Sequence, residues 1–301
     1  MLKIAHHPMY SHPLPAGHRF PMLKYELIPA QLKYEGVVNE ANFFEPQILT
    51  DEETILLTHD SQYWKRLKTL TLSYHEERRI GFPLSEQLVE RELRICQGTI
   101  DSALYAMQFG VSFNSAGGTH HAGSDWGEGF CLLNDQAVAA NYLVYNKIAS
   151  SVLIIDLDVH QGNGTAEIFD GHKAVFTFSM HGEKNFPFRK ENSDLDIGLK
   201  DHIGDEEYLT ILAENLQKAI ELSAPDMIFY QAGVDVLSTD KLGKLSLSKE
   251  ACKQRDFLVL EKCKNLGLPV QVSMGGGYSP DIRDIVDAHC NTYKVANELY
   301  F

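Results

Sequence analysis

The sequence predicts an α/β chain with a mostly parallel central sheet and helices on both faces. Strand, loop and helix patterns alternate from one end to the other. The strands are apolar on both faces, as in sheets buried on both sides; residues 152–155, VLII, are the clearest case. The loops after the predicted strands also concentrate Asp, His, Gly and Tyr, and open α/β sheets bind ligands at the carboxyl ends of their strands.

Taken in order, residues 3–6 read as a first strand and 10–21 as a loop rich in Pro and His. Helical patterns cover parts of 22–31 and 59–73, with 48–57 partly extended. A long amphipathic helix fits 85–109, with Leu88, Leu93, Ile95, Ile100 and Leu104 among its apolar positions. Strand 111–116 enters Gly117-Gly118-Thr119-His120-His121, and a Gly-rich loop leads to a helix over 135–146. After the central strand come a strand over 174–180, irregular chain to about 198, and a helix over 205–222 whose acidic start suits the helix dipole. Strand 225–231, helix 248–265, strand 268–274 and helix 280–298 complete the series. No linker, repeat or low-complexity tract breaks the rhythm, so residues 1–301 are expected to form one domain.

The net charge of −14 argues against nucleic acid or an anionic membrane as primary partner and would tolerate cationic substrates such as lysine-bearing peptides or polyamines. The first ten residues show no basic segment followed by an apolar stretch, and no run suits a membrane span. The five cysteines are scattered without a C-x-x-C pair, which fits free thiols in a reducing cytoplasm and leaves structural zinc without ligands.

The central stretch, 151–165, is SVLIIDLDVHQGNGT. Alternation along an extended strand would send Asp156, Asp158 and His160 to one side. Two carboxylates and an imidazole at the exit of a buried strand are costly unless a cation sits between them. Asp235, at the end of another apolar strand, would complete a three-ligand set of Asp158, His160 and Asp235, suited to zinc but open to iron, cobalt or manganese. His120 and His121 could serve as general base and electrostatic partner toward a metal-bound water. Tyr278, after three glycines, could donate to a carbonyl becoming an oxyanion. Phe130 within Gly127–Cys131, and Phe186, could line a narrow channel.

In combination, Gly-Gly-x-His-His-Ala at 117–122, Gly-Phe-Cys at 129–131, Asp-Leu-Asp-Val-His-Gln-Gly-Asn-Gly at 156–164, Asp235 with Asp240, and Gly-Gly-Gly-Tyr at 275–278 resemble the histone deacetylase superfamily. The chain is most similar to the class IV branch and its bacterial relatives. The resemblance implies the three-layer arginase/deacetylase-like fold and a zinc-dependent hydrolase that removes acetyl or longer fatty acyl groups from lysine side chains. By motif, Asp158, His160 and Asp235 would hold one zinc ion, His121 would be the general base and acid, and His120 its electrostatic partner. Tyr278 would stabilise the oxyanion. Asp156 would orient His120 and, with Asp158, His160, Ser179 and Met180, bind a structural potassium ion. Gly129, Phe130, Phe186 and Gly276 would line the substrate channel. Asn163 stands where better-known relatives carry the carboxylate that orients the second histidine, so His121 should titrate lower than in those relatives. Deacylation of acetylpolyamines or other small amides is the alternative. A two-manganese amidinohydrolase and a non-catalytic acyl-lysine binder are the more distant ones.

Overall fold

The computed structural model describes residues 1–301. Eight strands form one sheet: β1 (Lys3–Ala5), β2 (Phe43–Phe44), β3 (Val111–Asn114), β4 (Val152–Asp156), β5 (Val175–Gly182), β6 (Leu195–Leu199), β7 (Met227–Gln231) and β8 (Val270–Ser273). Their order is β2-β1-β3-β8-β7-β4-β5-β6, and every pairing is parallel. The expectation of a mostly parallel sheet is thus met in full. Every residue of β3, β4, β7 and β8 is buried, because helices cover both faces and both sets of alternating side chains face apolar neighbours. One continuous cluster of 78 buried apolar residues runs through the chain.

Ten helices connect and cover the strands: α1 (Lys24–Tyr34), α2 (Glu52–Leu56), α3 (Ser61–Lys68), α4 (Tyr74–Ile80), α5 (Glu86–Phe109), α6 (Asp135–Tyr145), α7 (Asn163–Phe169), α8 (Asp205–Ser223), α9 (Lys249–Leu266) and α10 (Ile282–Tyr300). Their ends follow local chemistry. Ser85 caps α5 through the Leu88 N–H, and Ser248 caps α9 through the Ala251 N–H. Gly267 closes α9 in the left-handed conformation. Five cysteines are buried and unpaired, and no helix is long and apolar enough to cross a membrane.

Three segments depart from the sequence reading. Residues 48–57 form no strand, and their second half is helical: Asp51, itself extended, accepts from the Glu53 N–H and the Thr54 hydroxyl and starts α2. α4 lies beyond the helical patterns of the sequence, although Ser73 and Glu76 form a capping box at its start. The stretch to about 198, irregular by its sequence, contains β6, an edge strand with exposed residues at alternate positions, so its composition lacks the apolar signal of the central strands.

Arg255, fully buried on α9, ties the sheet to this helix layer. Its Nη1 donates to the carbonyls of Gly233 (2.5 Å) and Leu157 (3.2 Å), just beyond β7 and β4. Its Nε donates to Asp256 Oδ1 (2.9 Å), which also accepts from Tyr230 Oη (2.6 Å), while Thr292 Oγ1 donates to Asp256 Oδ2 (2.7 Å). Removing one member of such a buried pair strands the other charge. Arg255→Met is therefore expected to lower unfolding free energy by about 3–5 kcal/mol, read as a drop in the urea midpoint.

Candidate active site

The four loops that carry the candidate chemistry follow β3, β8, β7 and β4, which are consecutive neighbours in the sheet. Residues distant in sequence therefore meet at one end of the sheet centre. β4 stops at Asp156, so strand alternation is not what gathers Asp158 and His160. A turn does it instead. The Asp158 N–H donates to Asp156 Oδ1 (3.1 Å) and the His160 N–H to Asp158 Oδ1 (3.0 Å), each side chain bracing the backbone two residues on.

Ligand atoms of Asp158, His160 and Asp235 lie within 4.8 Å of one another, and all three residues are buried. His160 Nδ1 is 3.1 Å from Asp158 Oδ1 and 3.2 Å from Asp235 Oδ2. Asp235 Oδ2 nonetheless accepts no hydrogen bond, an orphaned buried acceptor aimed at its two neighbours. Burial opposes charge on His160, yet Asp158 and Asp235 outweigh it and raise its pKa to about 10. The electrostatics thus call for a cation among the three, and a nitrogen and two carboxylate oxygens suit a divalent metal. Gly276 leaves the space clear: a Cβ there would lie 2.0 Å from Asp235 Oδ2. Its N–H donates to Asp158 Oδ2 (2.8 Å), so Gly276 backs the ligands and lines the deep cavity rather than the outer channel.

His120 and His121 lie beside this triad with ring centroids 4.2 Å apart. His120 Nδ1 meets Asp156 Oδ2 at 2.7 Å. Burial again opposes charge, but Asp156 and Asp158 hold the His120 pKa up at about 9. His121 Nδ1 meets Asn163 Oδ1 at 2.7 Å. Burial, then the charges of His120 and His160, holds His121 well below the ordinary imidazole range, with the Asn163 bond opposing them. The Asn163 amide group is oriented by Glu128, whose Oε1 accepts from Asn163 Nδ2 at 2.6 Å while its Oε2 accepts from Arg79 Nε at 2.7 Å. A carboxylate takes only donors, so Asn163 must turn its oxygen toward His121, and His121 must carry its proton on Nδ1. Its Nε2 is left as the proton acceptor.

Tyr278 lines the same space as His121 and His160. Its N–H donates to Asp240 Oδ2 (2.6 Å). Burial, then Asp235 and Asp158, raises its phenol well above the usual value, so it stays a hydrogen-bond donor. Phe130 holds a left-handed backbone, φ +71°, uncommon for a bulky residue. Its N–H donates to the Ile80 carbonyl (2.7 Å), pinning that turn to the end of α4. Gly129 is required beside it because a Cβ would lie 2.6 Å from His121 Cδ2. Phe186 stands edge-on to His121 at 5.1 Å. Asp156 faces Ser179 across the β4–β5 pairing, with Met180 the next residue of β5; Ser179 Oγ pairs with His181 Nδ1 (2.9 Å).

Three supports escaped the sequence reading. Asp135 Oδ1 accepts from the N–H groups of Gly118 and Thr119 (both 2.8 Å), fixing the loop that bears the histidines. Glu128 was read only as part of a Gly-rich loop. Lys24, fully buried, donates to the Gly275 carbonyl (2.9 Å), with Nζ 6.0 Å from the Tyr278 ring. Burial lowers its pKa to about 8, with Asp235 and Asp158 opposing.

Two cavities meet at the histidines. A deep one of about 40 Å³ lies beneath, lined by Phe20, Tyr25, Phe82, Arg91 and the Gly-rich loops. An outer one of about 280 Å³ opens to solvent past Phe130 and Phe186. His121, Gly129, Phe130, His160 and Tyr278 line both. Titration with zinc should show one tight ion per chain and a raised melting temperature, because a ligand held only by the native state stabilises it. Asp235→Asn should remove most of both effects, measured by calorimetry and thermal denaturation.

The Histone deacetylase domain family matches residues 18–293. The chain is 43% identical to an uncharacterized protein of Picosynechococcus sp. over 297 residues, 99% of both chains. It is 31% identical to human Histone deacetylase 1 over 317 residues, covering 97% of this chain and 61% of that protein. The crystal structure of a histone deacetylase (HDAC) homolog complexed with SAHA superposes with a TM-score of 0.84 at 25% identity, covering 99% of this chain and 84% of that one. The parallel sheet and its helices are thus the arginase/deacetylase-like fold, and the chain belongs to the histone deacetylase family of hydrolases.

Proposed function

We propose that this protein is a zinc-dependent deacylase acting on the side-chain amine of lysine in proteins or peptides. The observation that carries this reading is the position of His121. Its Nε2 is free, and its ring lines both the outer cavity and the deeper one. A lysine stem entering between Phe130 and Phe186 would bring its amide between His121 and Tyr278.

A divalent ion held by Asp158, His160 and Asp235 would supply Lewis-acid polarisation and a water of lowered pKa. The chain's own groups account for the remaining steps. His121 Nε2 takes the proton of the attacking water while its Nδ1–H stays anchored on Asn163. The Tyr278 hydroxyl donates to the carbonyl oxygen as it becomes negative. His121 then returns the proton to the departing amine. His120, paired with Asp156, contributes positive charge beside the same oxygen. Asp156 and Ser179, with Asp158, His160 and Met180, are the proposed surroundings of a structural potassium ion.

The deep cavity limits the acyl group. A water needs about 10–15 Å³ of such space, so about 40 Å³ holds about three waters, room for a short acyl chain. A fatty chain would require the Phe20–Phe82–Phe130 wall, with centroids 5.1 Å apart pairwise, to open. This favours acetyl over the long chains that the class IV resemblance suggests. Metal-loaded protein should hydrolyse acetyl-lysine peptides faster than myristoyl-lysine peptides, compared by kcat/KM. Tyr278→Phe and His121→Ala should each lose about 10²–10⁴-fold in kcat with metal still bound. Stoichiometric metal with no turnover of any acyl-lysine peptide would sink the reading.

Asn163→Asp tests the histidine partner. A carboxylate favours imidazolium, so the His121 pKa rises and the acid limb of the pH–rate profile moves to higher pH. An unchanged limb would remove His121 as the titrating base.

A further inference from the structure

The outer cavity carries a charge opposite to that of the molecule. The chain's net charge is −14, yet Arg19, Arg79, Lys184 and Lys244 line the mouth and no Asp or Glu does. Arg79 is committed to Glu128. The other three are exposed and paired with no carboxylate: Arg19 lies 5.0 Å over the Phe130 ring, and Lys244 Nζ donates to the Lys184 carbonyl (2.9 Å). Acids close in sequence lie outside this lining. Asp240 accepts the N–H groups of Leu242, Gly243 and Tyr278. Asp196 accepts from Gln161 and Ser193, and Glu183 lies over Gly198 of β6.

We propose that the mouth selects acyl-lysine in an acidic sequence context, in a peptide segment with Asp or Glu on both sides of the modified lysine; this rests on the deacylase reading above. The cations come from three loops and form two groups, Arg19 on the Phe130 wall and the Lys184–Lys244 pair beside Phe186. A single compact anion would need donors converging on one point, whereas a chain continuing on both sides of the lysine can meet both groups. Phe188, 89% exposed and 6.4 Å from Phe186 between centroids, adds an apolar contact for that chain. A polyamine, cationic along its length, would instead face three uncompensated positive charges, a repulsion that disfavours it. The acidity of the whole surface does not describe the field that the substrate meets.

The test uses metal-loaded full-length protein and three acetyl-lysine peptides differing only in flanking residues, Asp, Ala or Lys, with an acetylated diamine as fourth substrate. The expected order of kcat/KM is Asp over Ala over Lys, about tenfold end to end for a few exposed pairs, narrowing as salt screens them. Lys184→Glu combined with Lys244→Glu should invert the order. Peptide affinity for Tyr278→Phe, read by fluorescence anisotropy, should follow the wild-type order whether or not the wild type turns over. Absence of turnover with that affinity order intact would count against the deacylase reading alone. Equal values for the three peptides, insensitivity to salt, or faster hydrolysis of the diamine would overturn the proposal. If the double variant does not fold, the salt dependence and affinity order of the other proteins still decide the question.

Discussion

Burying carboxylates at the carboxyl ends of the central strands is the constraint on which the rest of the structure depends. Asp135, Asp156, Asp158, Asp235 and Asp256 are each at most 4% exposed, and such charges are tolerated only when paired or saturated with donors. Asp135 is satisfied by the loop that carries the histidines, Asp156 by His120, and Asp256 by Arg255, Tyr230 and Thr292. Asp158 and Asp235 share His160 and leave one oxygen without a donor. The position where compensation is incomplete is the position that suits a metal.

The same constraint explains the glycines and buried cations around the site. At Gly276 the backbone N–H reaches Asp158 in a space that a Cβ would fill, 2.0 Å from Asp235 Oδ2. Lys24 and Arg255 act on the backbone, each donating to carbonyls of the loops that hold Tyr278, Asp158 and Asp235. Their positive charge offsets the acids without entering the cavity. The loop ends are therefore held rigidly, which a reacting geometry requires.

What could be read from the sequence was what lies close together in it. Asp158 and His160 share one turn, and His120 with His121, Gly129 with Phe130, and Tyr278 with its glycines are contiguous. The central strands announced themselves through continuous apolar runs. Partners joined across the fold gave no such signal: Lys24 and Gly275 are 251 residues apart, Arg255 and Leu157 are 98 apart, and Glu128 and Asn163 are 35 apart. Edge strand β6 alternates with exposed polar residues, and α2 depends on the single cap at Asp51. The capping box of Ser73 and Glu76 was legible but lay next to a longer helical pattern that absorbed it.

The Asn163–Glu128 arrangement shows how a charge can act from one residue further out. Where a carboxylate would touch His121 directly, it would hold the ring as imidazolium and blunt it as a base. Here the amide keeps the Nδ1 proton in place, while Glu128 fixes the amide and is itself neutralised by Arg79. Orientation is thereby separated from charge: His121 is held by a network that ends in an ion pair, yet the ring meets a neutral atom. His120 takes the direct carboxylate instead. Asp156 and Asp158 raise the His120 pKa against burial, whereas burial and the charges of His120 and His160 lower that of His121; in the proposed mechanism it is accordingly His121 that accepts the proton.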